Sequence, residues 1–401
     1  MRPEDVTEIG EEFTQDAHAV MARLREAGPA QRIQLPRGLP CWLVTGFADV
    51  RALLADPRLS KDTGRAHELF RARMGGDAVS AFGQELTTHM LNSDPPDHTR
   101  LRKLVNKAFT SRTVARLRPR IEEITASLLD AMAGQPSVDL LPAFAAPLPI
   151  TVICELLGVP LGCQADFTGW TKTLLSSARP EAIKTAAEQM HGYLAELIER
   201  KRAEPAEDLL SDLVHATDEG ERLNGTELVS MAFLLLVAGH ETTVNLIANG
   251  VLALLRAPDQ LALVRSDPAL LPGAIEEFLR YDGPASLTTL RFTTEPVELD
   301  GVTIPADEFV LLSLLGANRD AERFEDPAEL DVTRAAGGHV AFGHGIHYCV
   351  GAPLARLEAE IAIGRLLERF PGLRLAAEPG TLRWRESMLV HGLESLPVSL
   401  A

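Results

Sequence analysis

The residues best suited to redox chemistry lie in one short segment near the end of the chain, AFGHGIHYCVG (Ala341–Gly351). Gly343 and Gly345 permit a tight turn with positive φ, which can direct backbone N–H groups towards a sulfur atom. Cys349 follows this turn, where a helix is predicted to begin, and a helix N-terminus stabilises thiolate. A thiolate placed there could bind a haem iron and promote O–O cleavage.

A different metal site is also compatible with this segment. Imidazole and thiolate ligands suit zinc and non-haem metals. The segment and its approach offer four of them: His339, His344, His347 and Cys349. The other three cysteines form no C-x-x-C pair, so neither a second zinc site nor a disulfide framework is predicted.

A second reactive group lies midway along the longest predicted helix, in the sequence AGHETT (238–243). Thr242 is four residues after Ala238, so its hydroxyl can bond to that carbonyl and distort the helix. The small residues Ala238 and Gly239 leave room for a diatomic ligand. The hydroxyl of Thr242 and the carboxylate of Glu241 offer a proton path to such a ligand. The structural alternative is a kinked core helix.

Two further charged pairs lie on predicted helices. Glu277 and Arg280 are three residues apart and share one helix face. Taken alone, such a pair is usually a surface ion pair of little energetic value. His98 and Arg102 are four residues apart on another helix, and Arg291 follows later. Each of these three could equally be an ordinary surface charge.

Together these motifs resemble the cytochrome P450 family. Its F-G-x-G-x-H-x-C-x-G signature is met at every fixed position by Phe342, Gly343, Gly345, His347, Cys349 and Gly351. The AGHET sequence matches the family's A-G-x-[DE]-T motif, and Glu277 to Arg280 matches its E-x-x-R motif. The resemblance extends over essentially the whole chain. It is closest to the soluble actinomycete type that hydroxylates macrolides, other polyketides and secosteroids.

The resemblance implies a role for each motif. Cys349 would be the axial ligand of haem b (iron protoporphyrin IX), Thr242 would hold the activated oxygen, and Glu241 would deliver protons. The implied cofactor-binding residues are His98, Arg102, Ala238, Gly239, Arg291, Phe342, Gly343, His347 and Gly351. Glu277 and Arg280 would form a buried structural network with Arg323.

The implied activity is that of a haem-thiolate monooxygenase, which consumes O₂ and electrons from NAD(P)H and hydroxylates or epoxidises a lipophilic molecule. No flavin or ferredoxin sequence is recognised in the chain, so an external ferredoxin and ferredoxin reductase are expected. Haem binding for sensing, or use of peroxide, is the alternative, and the Glu241–Thr242 pair favours O₂. Predicted pocket residues are mostly apolar: Met90, Leu234, Val237, Ala238, Ser286, Leu287, Thr288, Met388 and Leu389.

Charge restricts the partners further. The net charge of −17 argues against general nucleic-acid binding. Residues 98–120 contain eight lysines and arginines and no aspartate or glutamate. This basic run predicts either a solvated helix face or a docking patch for an acidic ferredoxin, apart from His98 and Arg102, which are assigned to the haem propionates.

Helical periodicity dominates the chain, so the predicted fold is mainly α with a small β region. The resemblance specifies this as the cytochrome P450 fold, a triangular helical prism with a long central helix over haem. Helices are predicted at 15–26, 47–55, 226–256, 270–281 and 349–370, and a hairpin at 32–44. Residues 58–90 are predicted to form a long mobile segment. We expect one domain over 1–401, a monomer, and a cytoplasmic protein without a signal peptide or membrane anchor.

Overall fold

The computed structural model describes residues 6–36, 38–75, 84–174, 179–217 and 220–400. Helices dominate the described chain. In chain order they are α1 (Glu11–Gln15), α2 (Ala17–Glu26), α3 (Phe47–Leu54), α4 (Thr63–Met74), α5 (Gln84–Thr87), α6 (Asp97–Ala108), α7 (Ser111–Arg116), α8 (Arg118–Met132), α9 (Pro147–Leu156), α10 (Gln164–Leu174), α11 (Pro180–Ala203), α12 (Leu209–His215), α13 (Gly225–Arg256), α14 (Pro258–Ser266), α15 (Leu271–Asp282), α16 (Leu314–Asn318) and α17 (Ala352–Arg369).

The strands are short. They are β1 (Thr7–Glu8), β2 (Ala30–Gln34), β3 (Pro40–Val44), β4 (Leu59–Ser60), β5 (Ser137–Asp139), β6 (Arg291–Thr293), β7 (Val297–Leu299), β8 (Val302–Ile304), β9 (Phe309–Leu312), β10 (Arg374–Leu375) and β11 (Pro397–Ser399). The largest sheet has the order β1-β2-β3-β9-β6-β4. Its centre includes the predicted β2–β3 hairpin, in which Ile33 pairs with Cys41.

The described chain divides into two compact units. The first comprises residues up to Ser60, Thr125–Ala146 and Thr242–Ala401, and it holds all of the strands named above. An apolar core in this unit packs α3 against the sheet, with Val44, Val50 and Val310 fully buried. The second unit, Lys61–Ile124 with Pro147–Glu241, is helical. The expectation of a single domain stays a prediction.

Helix α13 is the longest element, at about 48 Å for a rise of 1.5 Å per residue. Its start is fixed by a reciprocal cap. The Asn224 side chain accepts from the backbone N–H of Glu227, and the Glu227 carboxylate accepts from that of Asn224, both at 2.9 Å. The helix predicted at 226–256 therefore begins one residue earlier, with Asn224 and not Thr226 as its N-cap. α13 is apolar and long enough to cross a membrane, but 72% of its most apolar window is buried inside the protein, as in a core helix.

The prediction of one long mobile segment at 58–90 is wrong for its middle part. Residues 63–74 form α4, which begins where Asp62 accepts a hydrogen bond from Arg65 N at 2.7 Å. Only Leu69 of this helix is fully buried. An exposed helix carries little apolar periodicity, so the pattern did not reveal it. Residues 76–83 of the segment lie outside the described residues.

Candidate active site

The predicted turn around Cys349 is present. Gly343 and Gly345 have φ of +73° and +72°, values that L side chains rarely adopt. The turn closes on itself because the backbone N–H of Cys349 donates to the Phe342 carbonyl at 2.9 Å. Cys349 is half-buried. Helix α17 begins later than predicted, at Ala352, because Gly351 is its N-cap residue.

The structure brings Arg291 to the same place. A Cβ at Gly345 would lie 3.0 Å from Ala55 Cα and 3.2 Å from the Leu54 carbonyl oxygen, so only glycine fits against α3. Arg291 Nη1 lies 3.5 Å from that same carbonyl oxygen. The turn that leads to Cys349 and the predicted propionate ligand Arg291 therefore lie against the same backbone carbonyl, that of Leu54.

These residues fit a haem. A porphyrin iron needs an accessible thiolate, and the porphyrin carboxylates need a cation. Cys349 is half-buried, whereas Cys41 and Cys154 are fully buried. Arg291 is only 4% exposed, and a buried guanidinium is stabilised by a carboxylate. The donor set therefore matches both requirements.

The zinc alternative does not fit. His339 Nδ1 accepts from the backbone N–H of Ala341 at 3.2 Å, and His339 Nε2 lies 3.2 Å from Glu276 Oε2. Both ring nitrogens of His339 are thus engaged. Across the described ranges, the one group of three or more potential ligands that converges does not include Cys349.

Helix α13 is buried along most of its length except for one strip in the middle. Among residues 228–254, the positions that are not fully buried are Val237, Ala238, Gly239 and Thr242. A Cβ at Gly239 would lie 2.9 Å from Ile153 Cδ1, so a larger residue there would require the Ile153 side chain to move. The motif predicted to make room for a small ligand thus coincides with the accessible strip.

Glu241 lies beside this strip and is 6% exposed. Its neighbour His240 has Nδ1 at 2.9 Å from the Leu236 carbonyl, so Nδ1 is the donor. His240 Nε2 is 3.8 Å from Glu241 Oε1. The sequence assigned no role to His240, and the structure places it next to the acid of the motif.

Some of the basic residues at 98–120 are buried or paired with acids, so the surface there is less positive than the sequence suggests. His98 is buried and Arg102 half-buried on α6. Arg100 pairs with Glu227, and Arg120 pairs with Glu155 at 2.7 Å. Lys103, Lys107, Arg112, Arg116 and Arg118 are exposed, and Arg118 Nη1 lies 3.7 Å from Glu122 Oε1.

Glu277 and Arg280 are fully buried and form the predicted network. Both oxygens of Glu277 accept from Arg280, at 2.7 Å each, and Arg280 also donates to the carbonyl of Asn318 at 3.1 Å. The second arginine is not Arg323, as the sequence suggested, but Arg334, whose Nε lies 3.3 Å from Glu277 Oε1.

Arg323 is exposed instead. Its Nη2 donates to the Gly337 carbonyl at 3.3 Å, and its guanidinium lies 4.8 Å from the centre of the Phe324 ring. Arg323 and Arg334 are both separated from Glu277 by dozens of residues, and neither spacing favours one over the other. Sequence reasoning missed Arg334 for that reason.

The predicted pocket walls are exposed to different degrees. Two of the segments adjoin in the first unit, where the Ser286 N–H donates to the Leu389 carbonyl at 3.0 Å. Leu389 is 37% exposed, while Ser286 and Leu287 are buried. Thr288 and Met388 are half-buried, and in the second unit Met90 and Leu234 are buried.

Known proteins resemble this chain closely. A family model described as Cytochrome P450 matches residues 148–373. Cytochrome P450 107B1 of Saccharopolyspora erythraea is 56% identical over 98% of this chain and 97% of its own length. Vitamin D(3) 25-hydroxylase of Pseudonocardia autotrophica is 50% identical over 97% of this chain and 94% of its own.

A solved structure gives the same result for the fold. The P450 monooxygenase TamI bound to tirandamycin C superimposes with a TM-score of 0.93 at 55% identity. The match covers 98% of this chain and 100% of TamI. The fold predicted from the motifs is thereby confirmed.

Proposed function

This chain belongs to the cytochrome P450 family and is a haem-thiolate monooxygenase, and on that basis we propose that it oxidises a bulky lipophilic molecule of polyketide or steroid-like character. The observation that carries the activity is the glycine turn that leads to Cys349 and that lies, like Arg291, against the Leu54 carbonyl. Similar proteins are named for vitamin D(3) or hold tirandamycin C, two dissimilar molecules. We therefore propose a substrate class and not one compound.

Cys349 would hold the haem iron, and Arg291 with His98, Arg102 and His347 would bind the propionates. Phe342, Gly343 and Gly351 would shape the turn beneath the porphyrin. When bound, haem supplies the iron centre that activates O₂. The overall reaction is RH + O₂ + two electrons + two protons giving ROH and water.

The chain's own residues must position substrate and manage protons. Ala238 and Gly239 lack bulky side chains, which keeps the strip on α13 open. Thr242 lies one turn after Ala238 on the same helix and is half-buried on this strip. Glu241 is buried beside it and can relay protons from solvent. If water reached this strip by another route, the electrons would be released as peroxide and not used to form product.

The role of Thr242 is tested by Thr242→Ala, with Thr242→Ser as the control that restores the hydroxyl. We expect Thr242→Ala to bind haem and substrate normally but to form several-fold less product per NAD(P)H, with peroxide making up the difference. Thr242→Ser should recover most of the coupling. Equal product yield per NAD(P)H in wild type and Thr242→Ala would contradict this role.

The substrate class is tested by titrating the ferric protein with a panel of macrolactones, linear polyketides, secosteroids and fatty acids. Displacement of water by a bound substrate is read from the Soret band. Leu389 is a predicted pocket residue that is 37% exposed, so Leu389→Glu should weaken binding of any apolar substrate by about tenfold or more. Leu263→Glu is the control, since Leu263 is 40% exposed outside the predicted walls.

For electron supply we propose an acidic ferredoxin reduced by a ferredoxin reductase, acting on a monomeric, cytoplasmic enzyme. Arg112 and Arg116 are exposed on α7 and belong to the basic run, while the chain as a whole carries −17. Such a patch would raise the association rate more than the affinity. Salt weakens this steering, since screening acts over about 8 Å at physiological ionic strength.

Arg112→Glu with Arg116→Glu should slow reduction by ferredoxin in stopped-flow measurements, with dithionite reduction and substrate binding intact. The matched control is Lys172→Glu with Lys184→Glu, which makes the same charge change at exposed positions on α10 and α11. Added salt should slow the wild type more than the α7 variant. The same salt dependence in both would show that ferredoxin docks elsewhere.

A further inference from the structure

An ion pair between two helices lies directly beside the Cys349 turn. Arg356 on α17 donates from Nε to Glu276 Oε1 at 2.6 Å and from Nη2 to Glu276 Oε2 at 2.8 Å. Glu276 is on α15, next to the buried Glu277. The two side chains are 34% and 26% exposed, so this two-point contact is shielded only in part from water.

Glu276 is also tied to the start of the turn. His339 Nδ1 accepts from the Ala341 N–H, so the proton of a neutral His339 is on Nε2, which donates to Glu276 at 3.2 Å. Burial raises the pKa of Glu276, but Arg356 and His339 outweigh burial and lower that pKa to about 2. Glu276 and Arg356 therefore both stay charged across the working range of pH.

Arg356 reaches both ends of the turn. Its guanidinium lies over the Phe342 ring, 4.5 Å from the ring centre, in a cation–π contact. Its Nη1 lies 3.4 Å from the Tyr348 hydroxyl. Phe342 starts the turn, Tyr348 precedes Cys349, and the Phe342 carbonyl accepts the Cys349 N–H at 2.9 Å.

We propose that Arg356 is a positioning residue for the thiolate, and that the Glu276–Arg356 pair sets the reduction potential of the iron that Cys349 holds. The cation of the pair faces the turn through Phe342 and Tyr348, while the anion faces α15 and His339. Adding an electron to the iron makes the turn's surroundings more negative. A nearby cation therefore favours the reduced state, and Glu276 moderates that effect.

The proposal makes predictions of opposite sign for the two partners. Arg356→Gln leaves the Glu276 carboxylate unbalanced, so the midpoint potential should fall. Glu276→Gln leaves the Arg356 cation unbalanced, so the potential should rise. We expect each change to alter the reduction equilibrium by about threefold or more. If the pair only stabilised the fold, the two substitutions would move the midpoint potential in the same direction or leave it unchanged.

The measurement is spectroelectrochemical titration of the haem-loaded protein, with the reduced carbonyl spectrum recorded for every variant. That spectrum should keep its thiolate-type band, because Cys349 is unchanged. The matched controls are Arg365→Gln and Glu368→Gln, which dissolve an exposed pair on the same helix, 2.8 Å apart. Their potentials should equal that of the wild type.

Arg356→Lys keeps the test decisive if Arg356→Gln does not retain haem. Lysine keeps the charge but loses the two-point contact with Glu276. The potential of Arg356→Lys should therefore fall below that of the wild type, by less than is expected for Arg356→Gln, and its carbonyl band should broaden. Unchanged potentials in both Arg356→Lys and Glu276→Gln would overturn the proposal. So would a fall in potential for Glu276→Gln.

Discussion

Two places in the first unit bring together side chains that commonly bind metals. They differ in whether those side chains hydrogen-bond to one another. At the Cys349 turn the backbone bonds to itself, through Cys349 N and the Phe342 carbonyl, and the thiol is half-buried. In the second place His18, Asp282 and His391 converge within 4.8 Å of one another. His18 Nε2 and His391 Nε2 lie 2.7 and 2.9 Å from the same oxygen of Asp282.

The second cluster satisfies its donors internally. One carboxylate oxygen accepts from both imidazoles, so each neutral ring carries its proton on Nε2. A metal ion would require both protons to move to Nδ1, and His18 Nδ1 is buried without an acceptor among the described residues. Trp384 stacks on His391 at 4.0 Å, and Asn249 donates to the Asp282 and His391 carbonyls.

The contrast shows that ligand type alone does not make a metal site. The Cys349 turn keeps its sulfur accessible, whereas the His18–Asp282–His391 cluster ties helix α2 and the end of α15 to the C-terminal segment. We propose that the first arrangement serves chemistry and that the second serves stability. Four measurements can break or sharpen this distinction.

The largest effect is expected at the turn. Cys349→His should keep some haem but lose the thiolate-type carbonyl spectrum and all detectable monooxygenation, because imidazole does not supply the thiolate's electron density. Cys163→Ser is the control and should behave as wild type. A wild-type spectrum in Cys349→His would remove Cys349 as the ligand.

The next largest effect is expected in the cluster. Asp282→Asn removes the only anion of the three side chains and should lower the free energy of unfolding by about 3 kcal/mol, as when a buried ionic partner is lost. Asp130→Asn, whose side chain is 74% exposed, should change it by less than about 0.5 kcal/mol. Chemical unfolding gives both values. Stabilisation of the wild type by added Zn²⁺ would show that the cluster is a metal site after all.

Acid should destabilise the cluster before it affects the turn. Burial lowers the pKa of His18 to about 4, despite the opposing effect of the hydrogen bond that His18 donates to Asp282. Below the usual His pKa of about 6.5, the unfolded chain binds a proton that the folded protein does not. Stability should therefore fall by roughly 1 to 3 kcal/mol as pH drops from 6.5 to 4.

His18→Gln should flatten this part of the pH profile, and the exposed His215→Gln should not. The pKa of Asp282 is also lowered, because His391 and His18 outweigh the effect of burial, so its contribution is lost only at still lower pH. Identical pH profiles for wild type and His18→Gln between pH 4 and 6.5 would contradict the role of His18.

The smallest effect is expected at a buried acid that has no ion-pair partner among the described residues. Glu358 on α17 is 1% exposed, and its Oε2 has no hydrogen-bond partner in the described part of the chain. Burial raises the pKa of Glu358 well above its usual range. The contribution of such a carboxyl to the free energy of unfolding is complete only below pH 4.5. It is lost as the pH rises towards the pKa that the carboxyl has in the folded protein.

Glu358→Gln should therefore be more stable than wild type at pH 8, by on the order of 1 kcal/mol, and nearly equal to it at pH 4.5. Glu360→Gln, on the same helix, is the control. Unfolding at the two pH values measures the difference. A variant that is less stable at pH 8 would mean that the folded protein uses the Glu358 charge.

The sequence by itself determined the features that depend on neighbouring residues. The positive φ at Gly343 and Gly345 follows from glycine's lack of a Cβ. Glu277 and Arg280 share a helix face because they are three residues apart, and the apolar pattern of α13 specified a long buried helix. In each case the cause lies within one turn of the chain, where spacing fixes geometry.

The tertiary structure alone decided which distant residues complete these motifs. Glu276 and Arg356 are 80 residues apart, and Asp282 and His391 are 109 apart. Arg334, and not Arg323, completes the network of Glu277, and Leu54 lies between Arg291 and Gly345. Such partners are chosen by how helices and loops pack in space, and no local spacing encodes that packing.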